Sequence, residues 1–383
     1  MTVSKRIVSW ILVITLGVTS IVGAIFLFNG EGFFKTTVGI FFGVIPYELR
    51  VWANDEPEVT TEVVDTINAL NNEINVTTET SKLYYLNNLA EPLENVYISL
   101  DTYNLISIAK SIFLSTEGIF NPAIYPVAEL WNLSADRLSL ILGQEVISIP
   151  TNEQIEIVMQ YCDFNDFTLG QDETGYFINK NLAENKIELG AIAKGYACDL
   201  AYQIFSAHNV KGAYLEIGGN LITYGDKTDG SKYNIAIQNP RTSEDYSAFG
   251  VARIDEQTIS VSGDYNRYYY YLGDRVNHII NGQTGYPVNN SVIMCAVQNV
   301  SSSVPNLFAT ENLMVTPYNY SSTYADAFST VLFILGDQAR TFAINNGLSV
   351  ILAFETELYT YEYFASSGLD FTLINQNYVQ VFE

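Results

Sequence analysis

The chain has 383 residues, 48% apolar and 16% charged, a globular balance with enough length for one large cored unit or two small ones. Its formal charge of −24 disfavours nucleic acid and anionic lipid surfaces as partners, since both require clustered Lys and Arg. Cys162, Cys198 and Cys295 are odd in number, far apart and without CxxC spacing, which argues against a zinc site or a disulfide framework.

Lys5 and Arg6 precede an uncharged run from Ile7 to Phe28, about twenty residues, long enough to cross a hydrocarbon core as a helix. Positive charge ahead of the run places the N-terminus inside and everything after it outside. A cleaved signal sequence is the rival reading, with Val22-Gly23-Ala24 as the small-residue cleavage region. The run stays apolar through Phe28 and favours a retained, single-pass anchor in a bacterial cell membrane. No cysteine lies near its end, which excludes a lipoprotein anchor. Residues 1–30 are accordingly assigned to a cytoplasmic tip and anchor, and residues 31–383 to an extracytoplasmic domain.

After a polar break from Gly30 to Lys35, Val38 to Ala53 reads as an extended segment, and Pro46 within it predicts an edge strand or a bulge. Val63, Ile67, Leu70 and Ile74 recur at helical spacing. Leu105 to Thr116 predicts a second helix closed by Gly118, Phe120 to Trp131 runs on through prolines, and Gln154 to Tyr161 predicts a third helix. From Lys186 onward strands dominate: Ala213 to Ile217, Tyr233 to Gln238, Gly250 to Ile254, Thr258 to Val261, Tyr268 to Leu272 and Val292 to Val300. Ser322 to Leu335 predicts a helix with Ser or Thr as N-cap. Helices set between runs of antiparallel strands predict an α+β fold with packed helices.

Lys186 to Ala201, KIELGAIAKGYACDLA, combines a glycine turn, one lysine and the start of an amphipathic helix. Gly190 can take a positive φ, Ala191 and Ala193 leave the backbone accessible, and a helix N-terminus beside Lys194 suits a phosphate. Close packing of small residues before a helix is the alternative. Asp326 and Thr330, four apart, project from one helix face and suit a hard cation such as magnesium. The alternative is local helix physics, an acid near the dipole and a threonine bonded to its own helix.

His278, in NHIINGQTGYPV, is either a general base or a structural residue at a strand end. His208 reads as a helix cap. Glu216 to Asn220 ends a strand in a double-glycine turn where Asn220 can bond a ligand, and Ser262-Gly263-Asp264-Tyr265 forms a similar loop. The run Tyr268 to Tyr271 must alternate its rings between faces, so half of it belongs to the core.

Taken in order, these segments resemble the FAD:protein FMN transferase family, the ApbE family. ELGAIAKGYACD is similar to its D-L-G-G-I-A-K-G-Y-x-x-D segment, YLEIGGN to L-x-x-G-G-N, and SVSGDY to T-S-G-x-Y. HIINGQTGYPV is similar to H-I-I-D-P-x-T-G-x-P, ADAFSTVLFILG to A-D-A-x-x-T-x-x-x-x-L-G, and Gly118 to Trp131 to G-x-F-D-P-T-x-x-P-L-x-x-L-W. The resemblance implies an ApbE-like domain that cleaves FAD and joins FMN through a phosphoester to a Thr or Ser hydroxyl of an acceptor protein, releasing AMP. It implies magnesium, with manganese as a substitute, held by Asp326, Thr330 and the backbone oxygen of Ala191.

It further implies that Lys194 holds the diphosphate, that Glu188, Asn220, Ser262, Ile280 and Thr284 belong to the FAD site, and that His278 takes the hydroxyl proton while Asp326 serves the chemistry through the metal. The rival activities are an FAD pyrophosphatase giving FMN and AMP, and a flavin-binding surface protein without turnover. Departures from the pattern cluster in the N-terminal half. Phe42-Gly43-Val44 stands for Met-Gly-Thr, Thr77 lies near the place of a flavin-contacting tyrosine, and Asn121 and Ala123 replace Asp and Thr. Glu188 replaces Asp, and Asn281-Gly282 replaces Asp-Pro.

Overall fold

Alternating β-branched and aromatic residues give the chain its strands, and the computed structural model describes them within residues 35–227, 229–241, 247–300, 320–357 and 360–382. In chain order the strands are β1 Lys35–Phe41, β2 Ile45–Trp52, β3 Val96–Ile98, β4 Phe167–Gln171, β5 Tyr176–Lys180, β6 Gly212–Ile217, β7 Asn220–Gly225, β8 Tyr233–Gln238 and β9 Ala248–Ile254. They continue as β10 Thr258–Gly263, β11 Tyr268–Tyr271, β12 Asp274–Asn277, β13 Val292–Val300, β14 Leu348–Glu357, β15 Thr360–Ala365, β16 Phe371–Leu373 and β17 Tyr378–Gln380. The helices are α1 Glu56–Ile74, α2 Lys82–Asn88, α3 Leu100–Ser115, α4 Tyr125–Leu130, α5 Ala135–Ile141, α6 Asn152–Met159, α7 Ala193–Ala207, α8 Ser321–Leu335 and α9 Ala339–Asn345. The predicted anchor lies outside the described residues, and none of the described helices is long and apolar enough to cross a membrane.

Nine of the described strands form one sheet in the order β1-β2-β6-β7-β10-β13-β14-β15-β17, antiparallel except between β15 and β17. Successive side chains point to opposite faces, so each strand feeds two cores. On one face Leu49, Val51, Leu215, Ile217, Ile222, Cys295 and Val297 pack beneath α7 and α8, against Ala197, Phe205, Phe328 and Leu332. On the other, Tyr214, Leu221, Ile259, Met294 and Ile351 meet a small sheet ordered β16-β9-β8, with Phe249 at its centre. A third cluster joins α4, α5 and α6 to β11 through Val127, Trp131, Leu138, Ile155 and Tyr269. The α+β architecture is the one the pattern predicts.

Several elements differ from their sequence expectations. Val38 to Ala53 is a hairpin, β1 and β2, with Phe42 and Gly43 at φ 51° and 72° in its turn. β1 is the edge strand; Pro46 sits in the inner strand β2, ahead of the stretch, from Tyr47 on, that pairs with β6. α3 begins five residues before Leu105 because Ser99 caps it, accepting a hydrogen bond from Thr102 N at 3.2 Å. The tyrosine run alternates as expected: Tyr269 is buried with its hydroxyl donating to Trp131 O, while Tyr268 and Tyr270 meet edge to face at 5.4 Å. His208 is the C-cap of α7, and its ring nitrogens bridge Asp55 and Glu62 at 2.9 and 2.7 Å, tying that helix end to α1. These carboxylates raise its pKa.

Candidate active site

The site is organised by the close crossing of α7 and α8. A Cβ on Gly195 would lie 2.2 Å from Ser322 O and 2.8 Å from Asp326 Cβ, so only glycine permits this approach. The first N–H groups of a helix have no partner within it, and here each helix supplies the other. Asp326 of α8 accepts from Gly195 N at 2.9 Å in the first turn of α7. Asp199 of α7 accepts from Ser322 N at 3.0 Å, Thr323 N at 2.8 Å and Thr323 Oγ1 at 2.6 Å at the start of α8. The Ser or Thr expected to cap α8 is therefore replaced by a carboxylate 123 residues away. Burial pushes the Asp199 carboxyl up to about 6, against the pull of its hydrogen bonds.

Lys194 closes the arrangement. Its ammonium lies 3.2 and 3.3 Å from the two oxygens of buried Asp326 and donates to Gly190 O. Gly190 is not in the left-handed region. Its small size leaves room for the Glu188 carboxylate: a Cβ would stand 2.3 Å from Glu188 Oε1, which accepts from Gly190 N at 2.8 Å. Burial raises the pKa of Glu188, opposed by the charges of Arg267 and Lys194. The segment leading into this turn is held by Asn87, which donates to Ile187 O and accepts from Ile187 N, both at 2.9 Å. Buried Lys180 fastens Asn87 in turn, donating to the carbonyls of Asn87, Ala183 and Asn185.

Beside Lys194 runs the double-glycine turn between β6 and β7, where Gly218 and Gly219 have φ of 51° and 90°. A Cβ on Gly218 would come within 3.7 Å of Lys194 Cδ and 2.5 Å of Ile45. Glu216 accepts from Gly219 N at 2.8 Å, and burial, with Glu48 opposite it, pushes its carboxyl up to about 7. Asn220 follows, buried, with neither its Oδ1 nor its Nδ2 bonded, and Ser260 Oγ across the ladder is equally unpartnered. An unmet buried polar group costs about 1–3 kcal/mol, so these atoms carry a cost that the protein's own side chains do not relieve. Ser262 bonds Ser329 Oγ at 2.7 Å and Thr330 Oγ1 at 3.3 Å, fixing Thr330 against β10.

His278 follows β12. Its N and Nδ1 both lie 3.1 Å from Arg267 O. A carbonyl only accepts, so Nδ1 carries the proton and Nε2 keeps its lone pair. Burial, then the charges of Arg267 and Lys194, hold the imidazole pKa well below its ordinary value, so the ring is neutral near pH 7. Glu188, Lys194, Asp326 and His278 thus share one electrostatic neighbourhood.

Other expected residues lie apart. Ala191 stands in the turn before α7. Ile280 is buried in the third cluster. Thr284 is exposed in a turn that packs on the 118–131 segment, where Gly282 N donates to Ile119 O and Trp131 Nε1 to Gly285 O. Among the described residues no hydrogen bond or ion pair joins Thr284 to Lys194 or Asp326. The partners of two residues escape a linear reading. Asp199 matches the final acid of the D-L-G-G-I-A-K-G-Y-x-x-D segment, but its partners at the start of α8 are set only by folding. Arg267 is a cation in a loop of an acidic chain, and only folding sets it against Glu188 and His278.

The donor set suits a hard cation rather than a soft one. Among the described residues no cluster of three or more His, Cys, Asp or Glu side chains is arranged for a metal. A metal at Asp326 would rest on one carboxylate, the Thr330 hydroxyl and backbone oxygens, which is oxygen chemistry. The ammonium of Lys194 already seats positive charge against that carboxylate.

Known proteins share this plan. Residues 43–317 match the family model of the ApbE family. The chain is 27% identical over 263 residues to the FAD:protein FMN transferase of Haemophilus influenzae, covering 68% of each, and 24% identical over 314 residues to that of Vibrio cholerae, covering 82% and 84%. Against the Escherichia coli FAD:protein FMN transferase the chain spans 63% of the relative's length. The solved flavin transferase ApbE from Vibrio cholerae superimposes with a TM-score of 0.70 at 22% identity over 88% of this chain and 98% of that one. The ApbE protein from Thermotoga maritima gives 0.69 over 88% and 97%. With its family model matching residues 43–317, most of the chain's length, this chain belongs to the ApbE family.

Proposed function

We propose that the protein transfers FMN from FAD to a Thr or Ser hydroxyl of an acceptor protein, releasing AMP. The observation that carries this reading is the Lys194–Asp326 pair at the head of α7, with the neutral His278 in its field. Lys194 binds and orients the diphosphate as a point charge at the head of α7. His278 Nε2, kept free by the Nδ1–H bond to Arg267 O, accepts the hydroxyl proton as the hydroxyl oxygen bonds to the FMN phosphorus. The bond from that phosphorus to the AMP oxygen breaks, and AMP leaves. Asp326, Thr330 and the Ala191 carbonyl would hold magnesium, which when bound neutralises charge on the phosphate oxygens. Asn220 and Ser260 offer unspent hydrogen bonds to the nucleotide.

The test is direct. Full-length protein in detergent is mixed with FAD, magnesium and a threonine-bearing acceptor, and the acceptor is examined for in-gel flavin fluorescence and a mass gain of one FMN unit. Asp326→Ala and His278→Ala should abolish the gain. Equal release of FMN and AMP with and without acceptor would replace transfer by hydrolysis. The uncharged run from Ile7 to Phe28 supports a single-pass membrane protein with its catalytic domain outside the cell, and protease digestion of intact cells checks this.

A further inference from the structure

Arg267 stands at the end of the connection between β10 and β11. Its main chain is committed, since its carbonyl takes both His278 N and Nδ1 at 3.1 Å. Its side chain is not: among the described residues the half-buried guanidinium makes no hydrogen bond and no ion pair. The acid nearest in sequence is already used. Asp264 takes Arg241 in a bidentate pair at 2.8 and 2.9 Å and Arg275 at 3.3 Å. Glu188 feels the charge of Arg267 but spends Oε1 on Gly190 N. A guanidinium held partly out of water without a partner is costly, and the penalty is relieved when an anion completes its fork of donors.

We propose that Arg267 binds the phosphoryl oxygens of the nucleotide, so that one residue fixes the anion by its side chain and the proton-accepting imidazole by its carbonyl. This rests on the reading of the site as a nucleotide site given above. It adds to Lys194 a second cation from a different element, tied to His278 through its own carbonyl at 3.1 Å. A planar guanidinium suits paired phosphate oxygens, whereas Lys194 acts as a point charge. Two holds separated in this way orient a diphosphate rather than merely attract it.

Binding separates this from a structural role without any turnover. Full-length wild type, Arg267→Gln and Arg267→Lys are titrated with FAD and with riboflavin, which lacks phosphate, in EDTA and without acceptor, following flavin fluorescence. Arg267→Gln should weaken FAD about tenfold or more while leaving riboflavin unchanged, with Arg267→Lys in between. Inorganic pyrophosphate should displace FAD from wild type more effectively than chloride at equal ionic strength. Equal weakening of FAD and riboflavin, or undiminished FAD binding in both variants, overturns the proposal. Should the glutamine variant not fold, the lysine variant and the pyrophosphate competition decide. Because no acceptor is present, failure of FMN transfer with the FAD selectivity intact strikes the functional reading alone.

Discussion

The two faces of the nine-stranded sheet are built from the same alternating strands, yet they differ in kind. The face under the small β16-β9-β8 sheet is sealed by apolar and aromatic packing, with Phe249 stacked on Phe371 at 5.7 Å and edge-on to Tyr378 at 4.8 Å. The face under α7 and α8 buries Asp199, Asp326, Asn220, Ser260 and Ser329. Burying charge and polar groups is expensive unless each is satisfied, so one face is devoted to stability and the other carries cost in return for chemistry. The polar face also contains the unmet atoms of Asn220 and Ser260.

Substitutions can break that contrast. Asp326→Asn removes the charge that holds Lys194 and should lower the initial transfer rate by ~10³-fold while the thermal midpoint changes little. A rate within tenfold of wild type would make the polar face structural. Phe249→Ala, on the opposite face, should cost about 3 kcal/mol in urea unfolding and leave the rate per folded molecule intact. Asp199→Ala should cost about 2 kcal/mol by uncapping α8, and unlike Phe249→Ala it should also slow transfer, because α8 carries Asp326.

A pH series sharpens this. With its carboxyl pushed up to about 6, folded Asp199 binds more protons than the unfolded chain between about 4 and 6, so its contribution to stability falls as pH rises through that window and is flat above it. Asp199→Asn should remove the slope in urea midpoints measured across the same range. The smallest effect belongs to Gly250→Ala, where the new Cβ would meet the Phe371 ring at 2.3 Å; about 1 kcal/mol is expected, with transfer unaltered.

Much of this was legible in the linear chain. The helix from Ala193, the strands β6, β8, β9, β10 and β11 and the i, i+4 pair Asp326 and Thr330 follow from periodicity, and the ordered motifs point to the family. The double-glycine turn was legible too, since Gly218 and Gly219 both need positive φ. The strand β7 directly after that turn was not, nor was β14, because a buried apolar run has no periodicity to separate strand from helix. Gly190 misled for a different reason: its small size serves the Glu188 carboxylate, a contact invisible to φ arguments. Thr284 shares a motif with His278 but turns outward, because the packing of Gly282 on the 118–131 segment decides which way that loop faces.

The sequence by itself determined local conformation and the residue types available for chemistry, because helix starts, turns and strand alternation depend on neighbours a few positions apart. Only the tertiary structure decided what those residues became. Asp326 finds Gly195 across 131 positions and Asp199 finds Thr323 across 124. The proton on His278 Nδ1 is dictated by the carbonyl of Arg267, and its lowered basicity by burial and two cations drawn from other elements. Charge and tautomer are properties of the surroundings, and the surroundings exist only once α7, α8 and the sheet have packed.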